Sequence, residues 1–167
     1  GTMGAGIATA ALLSGFQVTL IEMTPVACEA AHGRIAGNLA GALKRGKITT
    51  EQHQVILNET LTVANDYADL SEADLVIEAV FEDMDVKKQV FIQLDAVCKQ
   101  GAILASNTSY LDVDEIAAVT SRPQEVIGLH FFSPAHVMKL LEVVVADKTA
   151  IDVVATGFEL GKRMKKI

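Results

Sequence analysis

Apolar positions along this chain switch repeatedly between helical and strand-like spacing. Residues 3–14 follow a glycine-rich opening and are apolar at most positions, as a buried helix is. A short run at 17–21 reads as a strand. Pro25 suits the first turn of a second helix. That helix reaches about residue 44 and carries Ala27, Ala30, Ala31, Ile35, Leu39 and Leu43 along one side. Thr49 and Thr50, followed by Glu51 and Gln52, form a cap for a short helix through 56. A strand at 61–64 follows. The run at 74–80 is continuous and β-branched, the pattern of a central strand covered on both faces. A helix at 85–98, a strand at 102–105, a helix at 112–119, strands at 126–130 and 140–145, and a helix at 149–162 complete the series. Strands alternating with helices predict an α/β fold, a mostly parallel, doubly wound sheet with helices on both faces. The stretch 25–61 is longer than a minimal crossover and predicts a helical pair standing away from the sheet.

Composition narrows the class. The 167 residues fit one domain, and with half of them hydrophobic and a mean hydropathy of +0.33 they can bury a sizeable core. No apolar stretch reaches the roughly 20 residues of a membrane span. The net charge of −7 argues against a nucleic-acid surface. It leaves room for an anionic cofactor held by backbone N–H groups. Cys28 and Cys98 stand far apart in no CxxC pattern and read as buried small residues in a reducing compartment. With His32, His53 and His136 also lacking ligand spacing, no metal site is expected.

In an α/β sheet, sites gather at the carboxyl ends of the strands. Here those ends carry Glu22, residues 79–82, residues 106–109 and residues 130–133. The opening Gly1-Thr2-Met3-Gly4-Ala5-Gly6 leads into a helix, whose start offers free N–H groups to a pyrophosphate. Glu22, at the end of the next strand, can take both ribose hydroxyls and disfavours the 2′-phosphate of NADP. The bland alternative is a tight turn with a solvated acid. His130 ends an apolar strand, which suits a general base as well as a structural hydrogen-bonder. Glu82 can orient that imidazole, or merely sit at a helix start beside Asp83 and Asp85. Asn107, Thr108 and Ser109 can contact a ribose or a substrate oxygen, or cap the next turn. Lys87 reads as a surface helix residue. Lys44, Arg45 and Lys47 form a basic cluster that fits a solvated helix end better than a phosphorylated substrate tail.

Together the glycine loop, the run from Asp74 through Glu82 to Lys88, the sequence Ser106-Asn107-Thr108-Ser109 and the stretch from His130 to Glu142 resemble the L-3-hydroxyacyl-CoA dehydrogenases. The likeness is to the dehydrogenase part of the multifunctional fatty-acid oxidation proteins, and it covers the whole chain. It implies a Rossmann-like fold and NAD-dependent oxidation of (S)-3-hydroxyacyl-CoA to 3-oxoacyl-CoA in β-oxidation. It implies His130 as catalytic base and Glu82 as its partner carboxylate, with Ser109 and Asn107 at the substrate. Gly1, Thr2, Met3, Gly4, Glu22, Ala79, Val80, Phe81, Lys87, Ser109 and Ser133 fall at positions associated with NAD. Ser133 stands where many single-function members carry Asn, and is read as a subfamily mark.

The resemblance also implies an NAD-binding domain over 1–167 that is truncated at both ends. The family's first strand precedes the glycine loop. A helical domain follows, which supplies an asparagine and most of the dimer contact, so this chain alone is expected to be impaired or inactive. An acyl-CoA substrate, a homodimer or multifunctional complex, and a bacterial cytoplasmic, peroxisomal or mitochondrial matrix setting are the matching expectations. A non-catalytic NAD-binding relative, or a dehydrogenase for another hydroxy acid, are the competing readings.

Overall fold

A computed structural model describes residues 1–167. The chain divides into two compact units. One comprises Gly1–Asp66 with Ser133–Met138, the other Tyr67–Phe132 with Lys139–Ile167.

The first unit begins with helix α1 (Thr2–Leu13), followed by strand β1 (Val18–Ile21) and helix α2 (Pro25–Lys44). Helix α3 (Thr50–Val55) runs into a π-helical turn at Ile56–Thr60, and strand β2 (Leu61–Ala64) closes the unit's main segment. Helix α2 starts where Pro25 predicts it, with Thr24 accepting the Ala27 N–H at 3.1 Å. At α3, Thr49 and Gln52 cap each other reciprocally. Strands β1 and β2 pair in parallel, Val18 opposite Leu61 and Ile21 opposite Ala64.

The expected stand-off of 25–61 is not what forms. Ile35 and Leu39 of α2 share one core with Ala5, Ala8 and Leu12 of α1, with Ile56 and with Leu61 of β2. Val18, Leu20 and Val63 pack against that core. The apolar side of α2 is drawn onto the strands because burying it outweighs leaving it in water.

The second unit holds β3 (Leu75–Glu78), α4 (Met84–Val97), β4 (Ile103–Ser106), α5 (Val113–Ala118), β5 (Val126–Phe131), β6 (Leu141–Val144) and α6 (Ile151–Arg163). Its four strands run in the order β3-β4-β5-β6. The first three are parallel and β6 is antiparallel to β5. The run at 74–80 was expected to be buried on both faces, yet Leu75, Val76 and Ile77 are only half-buried. Within this sheet β3 has a strand on one side only, whereas β4 between two neighbours is buried throughout.

Two local devices fix the second unit. Gly128 of β5 faces Val144 of β6, and a Cβ there would lie 2.6 Å from the Val144 Cβ. Only glycine lets the two strands close at this register. The second device is a clamp on the end of α4. Arg122 donates to the carbonyls of Asp95, Cys98 and Lys99 and, at 2.8 Å, to the Asp95 carboxylate. Ser121 donates to the same carboxylate through its N–H and hydroxyl. Partial burial would raise the Asp95 carboxyl, but the bonds from Ser121 and Arg122 outweigh it and hold the group below its usual range.

Gly128→Ala is expected to cost about 1–3 kcal/mol by forcing β5 and β6 apart, read by urea unfolding. The Asp95 clamp has a pH signature. A depressed native value gives stability that is complete above about pH 4 and lost as pH falls through the lower folded value. Asp95→Asn is therefore expected to destabilise the protein at neutral pH and to lose that disadvantage in strong acid.

Candidate active site

In the first unit the chemistry is that of a helix start. The first intrahelical bond of α1 joins the Ala5 N–H to the Gly1 carbonyl, and no side chain caps the helix. No acid lies in its first turn. The N–H groups of Thr2, Met3 and Gly4 are thus open, which suits an anion. The Glu22 carboxylate sits beside this opening, against the Gly1 nitrogen. The Glu22 N–H is tied to the Ala64 carbonyl at 3.0 Å, so β2 holds the end of β1. Gly6 serves packing, since a Cβ there would lie 3.3 Å from the Ala135 N. That close approach sets the segment bearing Ser133 against α1. Cys28 is only half-buried, against expectation, and its thiol donates to the Ala64 carbonyl at 3.4 Å. These residues fit a dinucleotide, with open donors for phosphate and a carboxylate for the ribose.

In the second unit three strand ends carry the polar groups. Ala79, Val80 and Phe81 follow β3, and the Phe81 ring is 83% exposed. Glu82 comes next, and its side chain is turned back onto the loop after β4. It accepts from the Thr108 hydroxyl at 2.7 Å and from both the N–H and the hydroxyl of Ser109 at 2.8 Å. Burial alone would raise the Glu82 carboxyl. The Ser109 N–H, the two hydroxyls and the nearby Lys87 charge outweigh it and hold the group below the usual carboxylate range. Because Ser109 spends its proton on Glu82, its oxygen lone pairs are left to accept from a ligand hydroxyl. Asn107 braces two strands, its Oδ1 accepting the Phe131 N–H at 2.7 Å.

His130 lies near the end of β5 with its ring 4.3 Å from that of Phe132. Its Nδ1 is 2.8 Å from Oε1 of Glu142 on β6. This corrects the expected partner. Antiparallel pairing sets His130 directly opposite Glu142, while Glu82 is fully engaged by Thr108 and Ser109. A carboxylate at Nδ1 selects the tautomer with its proton there, which leaves the Nε2 lone pair as the basic site.

Lys87 is the second correction. Far from being a surface residue, it is 2% exposed. Its ammonium donates to Glu78 at 2.5 Å and to the Val80 carbonyl at 3.3 Å, and lies 3.6 Å from Glu82. Apolar helical spacing cannot reveal an ion pair beneath the helix. Lys44, Arg45 and Lys47 are exposed at the end of α2.

Comparison with known proteins identifies the family. The family model described as "3-hydroxyacyl-CoA dehydrogenase, NAD binding domain" matches residues 1–167. The chain belongs to this family. It has the α/β Rossmann-like fold of that family's NAD-binding domain, and NAD is the cofactor this domain takes. It is 46% identical over 167 residues to a peroxisomal bifunctional enzyme of Cavia porcellus, covering 100% of this chain and 23% of that protein. A probable 3-hydroxybutyryl-CoA dehydrogenase of Bacillus subtilis is 42% identical over 166 residues, covering 97% of this chain and 58% of that one. Among solved structures, a 3-hydroxybutyryl-CoA dehydrogenase from Escherichia coli K12 superposes with a TM-score of 0.94 at 43% identity, covering 99% of this chain and 35% of that one. The domain thus spans under a quarter of the length of the bifunctional relative. No helix in it is long and apolar enough to cross a membrane.

The two carboxylates are separable by spectroscopy. Glu142→Gln is expected to abolish the preference for the Nδ1–H tautomer of His130 in ¹⁵N NMR spectra, and Glu82→Gln to leave it unchanged. The reverse pattern would show Glu82 to be the partner.

Proposed function

We propose that the protein carrying this domain oxidises (S)-3-hydroxyacyl-CoA to 3-oxoacyl-CoA with NAD, with His130 as the base. The observation that carries this reading is the His130–Glu142 pair at 2.8 Å. NAD, when bound, accepts the hydride from the hydroxyl-bearing carbon. The hydroxyl proton passes to Nε2 of His130 as the carbon–oxygen bond becomes double, and Glu142 stabilises the imidazolium that results. Ser109 accepts a hydrogen bond from the substrate hydroxyl while donating its own proton to Glu82. The amide of Asn107 faces the same strand ends and donates to a substrate oxygen.

For the cofactor, the open N–H groups of Thr2, Met3 and Gly4 receive the pyrophosphate, aided by the flexible backbone at Gly1. Glu22 accepts from the adenosine ribose hydroxyls. Ala79, Val80 and Phe81 are the cofactor residues of the second unit, and Ser133, with its short hydroxyl, is one of the first unit's. Lys87 acts from beneath, through the Val80 carbonyl and Glu82. Relatives named as peroxisomal bifunctional and glyoxysomal β-oxidation multifunctional proteins support a place in fatty-acid β-oxidation within a multifunctional protein. Peroxisomal, mitochondrial matrix and bacterial cytoplasmic settings all suit that role.

His130→Gln in the intact protein is expected to lower kcat by about 10²–10⁴-fold while leaving NADH affinity within a factor of about 3. The measurement is 3-oxoacyl-CoA reduction followed at NADH absorbance, with NADH titrated by fluorescence. Unchanged turnover would remove His130 from the chemistry. Full NADH binding without turnover in the wild-type protein would favour a non-catalytic relative.

A further inference from the structure

The hydride transfer described above makes no use of Glu78, yet this residue carries one of the most buried charges in the chain. Its side chain is fully removed from solvent and is paired with the equally buried Lys87. Two apolar side chains could fill the same space, and replacing a buried ion pair in that way is often neutral or stabilising. Holding α4 to β3 therefore does not account for the pair.

The contacts around the pair point elsewhere. Glu78 accepts the Val80 N–H at 2.9 Å, while Lys87 donates to the Val80 carbonyl at 3.3 Å. Both sides of that backbone residue are fixed from beneath. The other Glu78 oxygen accepts the Ser106 hydroxyl at 2.6 Å, and Ser106 in turn accepts the Thr108 N–H at 3.2 Å. These bonds end on Val80, on Ser106 at the end of β4 and, through Ser106, on the loop that presents Ser109. The balance of charge matters as much. Lys87 has two carboxylates in reach, Glu78 at 2.5 Å and Glu82 at 3.6 Å. With Glu78 saturating the ammonium, Glu82 stays with Thr108 and Ser109.

We propose that Glu78 is a positioning residue. By neutralising Lys87 it leaves Glu82 to Ser109 and holds the Val80 peptide in register for the cofactor. This rests on the reading that residues 79–82 and Ser109 serve NAD and substrate. Neutralising Glu78 leaves the ammonium in a low-dielectric site with Glu82 as the nearest anion, and that carboxylate is drawn away from Ser109.

The test compares variants of the intact protein by NADH fluorescence titration and by steady-state kinetics. Glu78→Gln is expected to raise the Kd for NADH about tenfold and to lower kcat, and Glu78→Asp, which keeps the counter-charge, to recover most of both. In a Ser109→Ala background, Glu78→Gln is expected to lower kcat by less than about threefold, because the two changes act on one unit. Equal losses in both backgrounds would mark a merely structural role and overturn the proposal. So would a Glu78→Gln protein that binds NADH as the wild type does while Lys87→Met weakens binding. A wild-type protein that binds no NADH overturns the functional reading, and this one with it. If Glu78→Gln fails to fold, the double change Glu78→Gln with Lys87→Met removes the buried charge. With no ammonium left to draw Glu82 from Ser109, that folded variant is expected to lose kcat on Ser109→Ala as fully as the wild type does, and a Ser109→Ala change that no longer lowers kcat there would sink the proposal.

Discussion

The antiparallel register between β5 and β6 decides whether His130 has a partner. A side chain on a strand can only meet what the facing strand presents, and a slip of one residue turns each side chain to the other face. With Gly128 opposite Val144, His130 falls opposite Glu142. The bond between imidazole and carboxylate then selects the tautomer, which leaves Nε2 as the free base. A glycine two residues before the histidine thus sets the pairing of an imidazole it never touches. It does so by letting two backbones approach where any side chain would collide.

Beneath the neighbouring strand ends lies a different kind of constraint. Glu78, Lys87, Glu82, Ser106, Thr108 and Ser109 form one connected set of charged and neutral hydrogen bonds. Such networks gain strength in a low dielectric only when every member is satisfied. The cost of burying Lys87 is offset by Glu78, and the exposed carboxylate of Glu82 is held by three donors. The outcome is a rigid platform in which Ser109 has one fixed direction for its proton and a free oxygen for a ligand.

The order of elements was legible in the chain because it depends on local pattern. Pro25 and Thr49 marked helix starts, and the short apolar runs marked strands within a residue or two of where they form. The open helix start at 1–6 and the acid at Glu22 were legible for the same reason, since they lie within one helix–strand stretch. The half-burial of β3 and the packing of α2 were not legible. They depend on which surface lies next to each element, and nothing in the local run states that.

The site divides along the same line. Sequence by itself determined the identity of the polar residues at the strand ends, His130, Glu82, Asn107 and Ser109 among them, and the glycine-rich start of α1. Tertiary structure decided which of them meet. It gave His130 to Glu142 rather than Glu82, and it buried Lys87 on Glu78 where spacing suggested a solvated side chain. The physical reason is that hydrogen bonds across strands and under helices join residues through the pairing of backbones. That pairing is set by the packing of the whole unit and not by the distance along the chain.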